Sequence, residues 1–263
     1  MPRGMTFRDV CKVSVGEEGL RCDVPEGWEQ GRGAFGGLGI GLALRALERE
    51  EPERPLRALT AELPGPLLAG PATIETRALR RGTGLSSLEA TLSQEGEVKV
   101  RVTGLFGVAR AEDVAFSPPA PEVTPWRDVP PLSGEALPPR FARHFQYRVT
   151  GPPPFSAGDE ARASGWIQFT EPLDAWGGAE LAALADAWWP SFFARLDGFR
   201  PMGTVTFTLQ LTEAARDLDP TQPLYYRARS DVASAGYVSE HRELWTPDGR
   251  LVALNPQTFV VIR

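Results

Sequence analysis

Histidine and cysteine are scarce in this chain of 263 residues, and their scarcity removes several chemistries at once. The two cysteines, Cys11 and Cys22, form no CxxC pair and no metal-ligand pattern, so reduced thiols are expected. The two histidines, His144 and His241, lie far apart without HExxH spacing, and no metal site is expected from them. Both fall in strand-like stretches and are taken as satisfied or solvated strand residues rather than bases. A serine hydrolase would carry GxSxG; the nearest run, Val232-Ala233-Ser234-Ala235-Gly236, lacks the first glycine. Positive charge is also in short supply. The formal net charge is −6, which argues against a nucleic-acid or anionic-membrane partner, so an anionic ligand would have to meet a local group of arginines. No apolar run approaches the ~20 residues that span a bilayer. The opening MPRGMTFRDVCKV has no apolar signal core, and a cytoplasmic protein is the expectation.

What is present is ordinary for a globular chain: 42% hydrophobic and 24% charged residues, enough for one large domain or two small ones. Alternation and turn residues predict strands over 5–13 and 19–24, then a helix over 38–50 that follows Phe35-Gly36-Gly37. Strands are predicted over 56–63, 72–80, 85–93 and 97–108, the last three joined by short hairpin connections. Residues 117–139 differ, with eight prolines in 23 residues. They predict an extended linker between an N-terminal unit, 1–116, and a C-terminal unit, 140–263. The second half then gives strands over 140–150 and 161–169, a helix opened by Gly177-Gly178, and strands over 204–211, 224–231, 237–245 and 251–262.

The second half repeats the first. Gly36 and Gly177 are 141 residues apart, Gly84 and Gly236 are 152, and both Gly96–Gly249 and Phe106–Phe259 are 153. One insertion between the helix and the second strand accounts for the change, and four landmarks in one order indicate a duplicated unit. Each unit is one long helix followed by four or more antiparallel strands. Such a helix is buried on every side only if the sheet curls around it. The expected fold class is therefore α+β, two tandem hot-dog units with their sheets joined edge to edge. Because an open edge invites pairing, a homo-oligomer is also expected.

The run 178–196, GAELAALADAWWPSFFARL, is the predicted buried helix of the second unit, with Pro190 ending or kinking it near Trp189. Asp186 is the single charge between Glu180 and Arg195. An ionised carboxylate there needs partners or shifts its pKa. In the repeat register Asp186 falls opposite Arg45, and Gln257 opposite Gly104, so both polar groups belong to the second unit alone. Gln257 lies among Leu, Val and Phe, and a buried amide must find partners. Threonines 204, 206 and 208 offer hydroxyls at the start of a strand, without a reason to prefer one. Asp, Thr and Gln converging could hold one water, the Asp taking its proton. The Gly36-Gly37 helix start has neither GxGxxG nor GK[ST]; its exposed N–H groups suit a carbonyl oxygen or a developing oxyanion instead.

FGGLGIGLALRAL, RRGTGLSS, LADAWWP, GTVTFTLQL and DGRLVALNPQTFVV, in that order, resemble the type II acyl-CoA thioesterases of the double hot-dog kind. The resemblance covers most of the chain outside the linker. It implies hydrolysis of fatty acyl-CoA thioesters by a water that Asp186, Thr204 and Gln257 position, with no metal or redox cofactor. Phe35, Gly36 and Gly37 would line the substrate, and Arg80 and Arg81 are the candidates to meet the phosphates of CoA, with a solvated strand end as the more ordinary role for both. Two departures stand out. Pro256 precedes Gln257 and removes a ladder donor, which predicts a bulge that re-aims Gln257. Trp188 and Trp189 beside Asp186 predict a narrowed acyl pocket. The alternative is a non-catalytic acyl-CoA or lipid-binding protein on the same scaffold. A dehydratase or hydratase is disfavoured because no histidine is placed with an Asp on the helix.

Overall fold

The computed structural model describes residues 5–16, 19–111, 113–133 and 138–262. The first half supplies α1 (Phe7–Val10), β1 (Ser14–Gly16), β2 (Gly19–Val24), β3 (Glu29–Gln30), β4 (Gly33–Ala34), α2 (Gly36–Glu50), β5 (Leu56–Glu62), β6 (Gly70–Arg81), β7 (Leu85–Gln94) and β8 (Glu97–Gly107). The second supplies β9 (Leu132–Ser133), β10 (Phe145–Val149), β11 (Arg162–Phe169), α3 (Gly178–Asp186), β12 (Met202–Leu211), β13 (Leu224–Ser234), β14 (Tyr237–Trp245) and β15 (Leu251–Val261). Among the described residues, thirteen strands form one antiparallel sheet in the order β1-β2-β6-β7-β8-β5-β12-β15-β14-β13-β11-β10-β9. The seam is β5 against β12, where Ala61 faces Phe207 and Leu59 faces Leu209.

Outward from that seam the halves read alike: β5, β8, β7, β6, β2 on one side and β12, β15, β14, β13, β11 on the other. Each side therefore repeats one topology, with α2 and α3 as the matching helices. This is the double hot-dog arrangement, and the edge-to-edge joining expected of it occurs within one chain. The outer strands β1 and β9 have three and two residues, and short edges offer little to a second sheet.

The two helices are the core. Leu38, Ile40, Leu42, Leu44 and Leu47 of α2 are fully buried, as are Ala179, Ala182, Ala183 and Leu184 of α3. Small residues let the helices touch closely: a Cβ on Gly37 would lie 2.8 Å from the Cα of Ala183. The helices run antiparallel. The N-terminus of α2 meets the C-terminus of α3 through Gly37 and Asp186, and Arg45 farther along α2 meets Glu180 near the start of α3.

Three expectations about local structure are corrected. Residues 5–13 begin as α1 because Thr6 and Asp9 form a reciprocal capping box: the Asp9 N–H donates to Thr6 Oγ1 at 3.3 Å and the Thr6 N–H to Asp9 Oδ2 at 3.2 Å. Residues 140–144 form a 3₁₀ turn, so the strand begins only at Phe145. His144 thus ends a turn, with its ring stacked on Trp28 and Nε2 3.0 Å from the Gly27 carbonyl oxygen. Finally, α3 stops at Asp186 rather than continuing to residue 196. Pro190 has no N–H for the Asp186 carbonyl and its ring would strike that carbonyl, so the chain turns and resumes as a 3₁₀ segment, Ser191–Arg195.

Part of the proline-rich stretch docks on the second half, although most of its described residues are exposed; residues 134–137 lie outside the described residues. Val123, Trp126 and Val129 pack on Trp166, Tyr225 and Trp245 of the second half, and Trp166 Nε1 donates to the Thr124 carbonyl at 2.9 Å.

Candidate active site

Ending α3 at Asp186 decides the site. The carboxylate emerges at the helix C-terminus, the end where a negative charge is disfavoured. It is accommodated because α2 brings its N-terminus to the same place: the Gly37 N–H donates to Asp186 Oδ2 at 2.7 Å. Gln257 Nε2 donates to Asp186 Oδ1 at 3.3 Å and to Asn255 Oδ1 at 2.8 Å. Asp186 and Gln257 are both buried. Burial raises the pKa of Asp186 above the usual carboxylate range, while Arg242, the Gly37 amide and Gln257 pull it back and Glu240 adds to the rise. One acceptor is unmet: Gln257 Oε1 is buried and has no partner among the described residues.

The strand around Gln257 explains why Pro256 does not disturb it. Pro256 lies in regular register opposite His241, as Gln257 lies opposite Glu240. On its other side the pairing of Phe207 with Gln257 and of Gln210 with Leu254 puts Pro256 opposite Thr208. The donor that proline lacks is replaced by a side chain: Asn255 Nδ2 donates to the Thr208 carbonyl at 2.6 Å. No bulge forms at Pro256, and the expected re-aiming of Gln257 does not occur. The bulge lies instead in β12, between Thr204 and Thr206. Thr204 pairs with Phe259 and Phe207 with Gln257, so this bulge turns Thr204 to the face that Gln257 shares, while Thr206 is exposed. Among the described residues no hydrogen bond joins Thr204 to Asp186 or to Gln257.

The predicted substrate-lining residues divide. Gly36 touches the site: a Cβ there would lie 2.9 Å from Asp186 Oδ2. The Gly37 N–H is held by Asp186, so it positions the carboxylate rather than standing open to an oxyanion, which corrects that expectation. Phe35 is fully buried, its ring 4.4 Å from Phe141 and 6.0 Å from Trp28, and it braces the start of α2. Arg81 is at the far end of α2, about 20 Å away by helix rise. Its guanidinium is occupied by Glu51 at 2.6 Å and Glu50 at 3.0 Å, so the group expected to meet phosphates is engaged within the fold.

Trp188, two residues beyond Asp186, is buried and stacked 4.9 Å from Tyr226, with Tyr147 edge-on at 5.3 Å and Trp189 at 4.9 Å. Gly165 makes room for it, since a Cβ there would be 2.6 Å from Trp188 Cη2. Sequence reasoning missed three participants, Arg242, Glu240 and Asn255, and gave the Gly37 amide a different partner. A signal existed for the first two, because Glu240 and Arg242 alternate on the inward face of a strand whose counterpart carries Leu88 and Ala90.

The pseudo-equivalent position in the first half contains no such site. Arg45 stands where Asp186 stands, and it binds Glu180 and, at 2.6 Å, Glu48. Gly104 stands where Gln257 stands, and the Phe106 ring and Leu47 close over it.

Residues 24–107 match the family model of the acyl-CoA thioesterase N-terminal domain, and residues 115–261 that of the acyl-CoA thioesterase C-terminal domain. No curated protein matches the chain in sequence. Among solved structures, a conserved hot-dog protein of unknown function from Alicyclobacillus acidocaldarius is 27% identical, with TM-score 0.88 over 98% of each chain. A putative thioesterase II from Thermobifida fusca YX is 23% identical, with TM-score 0.83 over 100% of this chain and 99% of its own. An acyl-CoA thioesterase II from Mycobacterium marinum is 19% identical, with TM-score 0.78 over 98% of each chain.

Proposed function

Because the chain belongs to the acyl-CoA thioesterase family, we propose that it hydrolyses acyl-CoA thioesters to the free acid and CoA through a water held by Asp186 and Gln257. The observation that carries this reading is a buried carboxylate beside a buried amide oxygen that has no partner. A water donating one proton to Asp186 and the other to Gln257 Oε1 satisfies both acceptors and leaves its lone pair for a carbonyl carbon. Attack forms the C–O bond while Asp186 takes the proton. Collapse of the tetrahedral intermediate breaks the C–S bond, and the proton passes from Asp186 to the departing CoA sulfur. Thr204, on the same face, is assigned to hold the water or the substrate carbonyl. Asp186 is suited to the base role because burial raises its pKa from the ordinary carboxylate value, which makes it a stronger base. One centre per chain follows from Arg45 and Gly104 at the matching positions of the first half.

The test is thiol release from a panel of acyl-CoAs of short to long chain, for the wild type and Asp186→Asn. The variant is expected to lose at least ~10²-fold in kcat with KM within a few-fold, the range of general-base contributions. Since the base must be deprotonated, wild-type kcat should fall on the acid side with an apparent pKa above that of an ordinary carboxylate. A wild type that binds acyl-CoA but cleaves none would turn the reading to the binding-protein alternative.

A further inference from the structure

Two fully buried charges lie behind Asp186, and the reaction as written uses neither. Arg242 is 1% exposed and Glu240 0%. Arg242 Nε donates to Glu240 Oε1 at 2.6 Å, Nη1 donates to the Ala185 carbonyl at 2.8 Å, and Nη1 stands 3.8 Å from Asp186 Oδ1. The other oxygen of Glu240 accepts from the Ser191 N–H at 2.6 Å, the Ser191 hydroxyl at 2.7 Å and the Ser230 hydroxyl at 3.1 Å. The guanidinium is flanked by the rings of Phe259 at 5.3 Å and Tyr226 at 5.7 Å. Across the ladder Glu240 pairs with Gln257 and Arg242 with Asn255, so both charges sit beside the two site amides.

A buried ion pair is seldom better for stability than an apolar pair of similar volume. This chain contains the apolar solution. At the 152-residue offset of the turns that precede β7 and β14, Glu240 corresponds to Leu88 and Arg242 to Ala90, both buried. The charges occur only in the half that has Asp186 and Gln257. We propose that Arg242 and Glu240 are a positioning pair for Asp186: Arg242 grips the last turn of α3 and faces the carboxylate, and Glu240, anchored by Ser191 and Ser230, fixes Arg242. Neither touches the reacting atoms. Around Asp186 the pair sets the electrostatic balance with the groups on every neighbouring element: the Gly37 amide on α2, Gln257 and Asn255 on β15, Tyr226 on β13 and Tyr147 on β10. Arg242 favours the ionised carboxylate and Glu240 opposes it.

The inference rests on Asp186 as the base, and the experiment separates the two ideas. The titration of Asp186 is followed by carboxyl carbon NMR, its signal assigned by its absence in Asp186→Asn, beside the pH profile of acyl-CoA hydrolysis. In E240Q the midpoint of Asp186 and the acid limb of kcat should move down together. In the double variant R242M/E240Q, which removes both charges of the pair and leaves Asp186 without its cationic neighbour, both should move up by about one pH unit, a typical effect of losing a neighbouring opposite charge. In that variant kcat should also fall about tenfold while KM stays within twofold. R242K retains the charge and should titrate nearer the wild type. Midpoints unchanged in folded E240Q and R242M/E240Q would overturn the proposal. So would activity losses that merely follow Tm. If D186N hydrolysed normally, the base assignment would fall, and the NMR midpoints would still decide whether the pair governs the carboxylate.

Discussion

At the scale of single residues, the site is held by atoms that leave little room for alternatives. Gly36 is within touching distance of Asp186, and alanine there would put a methyl group 2.9 Å from Oδ2 and 3.0 Å from Leu63 Cδ2. Gly36→Ala should displace the carboxylate and lower kcat by roughly tenfold or more, since displacements of this size are costly at a reacting centre. Steady-state kinetics beside a thermal melt check it, with the rate expected to suffer more than Tm. Asn255 does two jobs, replacing the donor that Pro256 lacks and holding the Gln257 amide. Asn255→Ala leaves the Thr208 carbonyl without that donor and frees Gln257. A loss of about 1–3 kcal/mol in urea unfolding is expected from the orphaned group, together with a fall in kcat. Wild-type kinetics in the variant would show that Gln257 needs no such brace.

At the scale of elements, α2 and α3 meet at two polar points, one at the candidate site and one away from it. Gly37 with Asp186 forms the site, while Arg45 with Glu180 ties the other ends of the pair together. Glu180 is fully buried, and burial raises its pKa although Arg45 opposes the rise. Arg45→Met removes the main opposition and leaves the buried carboxylate only the half-exposed Arg8 at 4.0 Å, a change that costs up to about 3–5 kcal/mol in comparable cases. The folded-state pKa of Glu180 would then lie farther above its unfolded value. Stability is retained below the unfolded value and lost as pH rises through the folded one. The variant should therefore regain part of its wild-type Tm as pH is lowered, and Arg45→Met/Glu180→Gln should recover most of it at neutral pH. Melting curves across pH report both outcomes.

At the scale of the whole molecule, the duplicated units are one body. The sheet runs unbroken through the β5–β12 seam, and each half completes the core of the other through the close contact of α2 with α3. The site has the same character, since its carboxylate and amide come from the second half and its Gly37 N–H from the first. Residues 1–116 and 117–263 expressed apart should each expose a long unpaired edge strand and an apolar helix face, and aggregate. Produced together, they should recover a soluble complex with thioesterase activity, read by size-exclusion chromatography and thiol release. A soluble, active C-terminal half alone would show that the Gly37 amide is dispensable.

The sequence by itself determined the fold class, most of the strands along each half and the two residues that meet in the second. Hydrophobic periodicity and turn glycines are local signals, and the offset between copies exposes a polar residue present in only one of them. Asp186 was legible because one charge in an apolar helix is conspicuous, and Gln257 because an amide in an apolar strand is equally so. Thr204 could be singled out from Thr206 only by family resemblance, because its facing depends on a bulge that strand propensity does not encode. Tertiary structure alone decided that Gly37 serves the Asp186 carboxylate, that Arg81 is engaged at the far end of α2, and that Arg242 and Glu240 stand behind the site. Each of these is a contact between segments far apart in the chain, set by how the two helices cross and how the strands register, and no short stretch of residues carries that information.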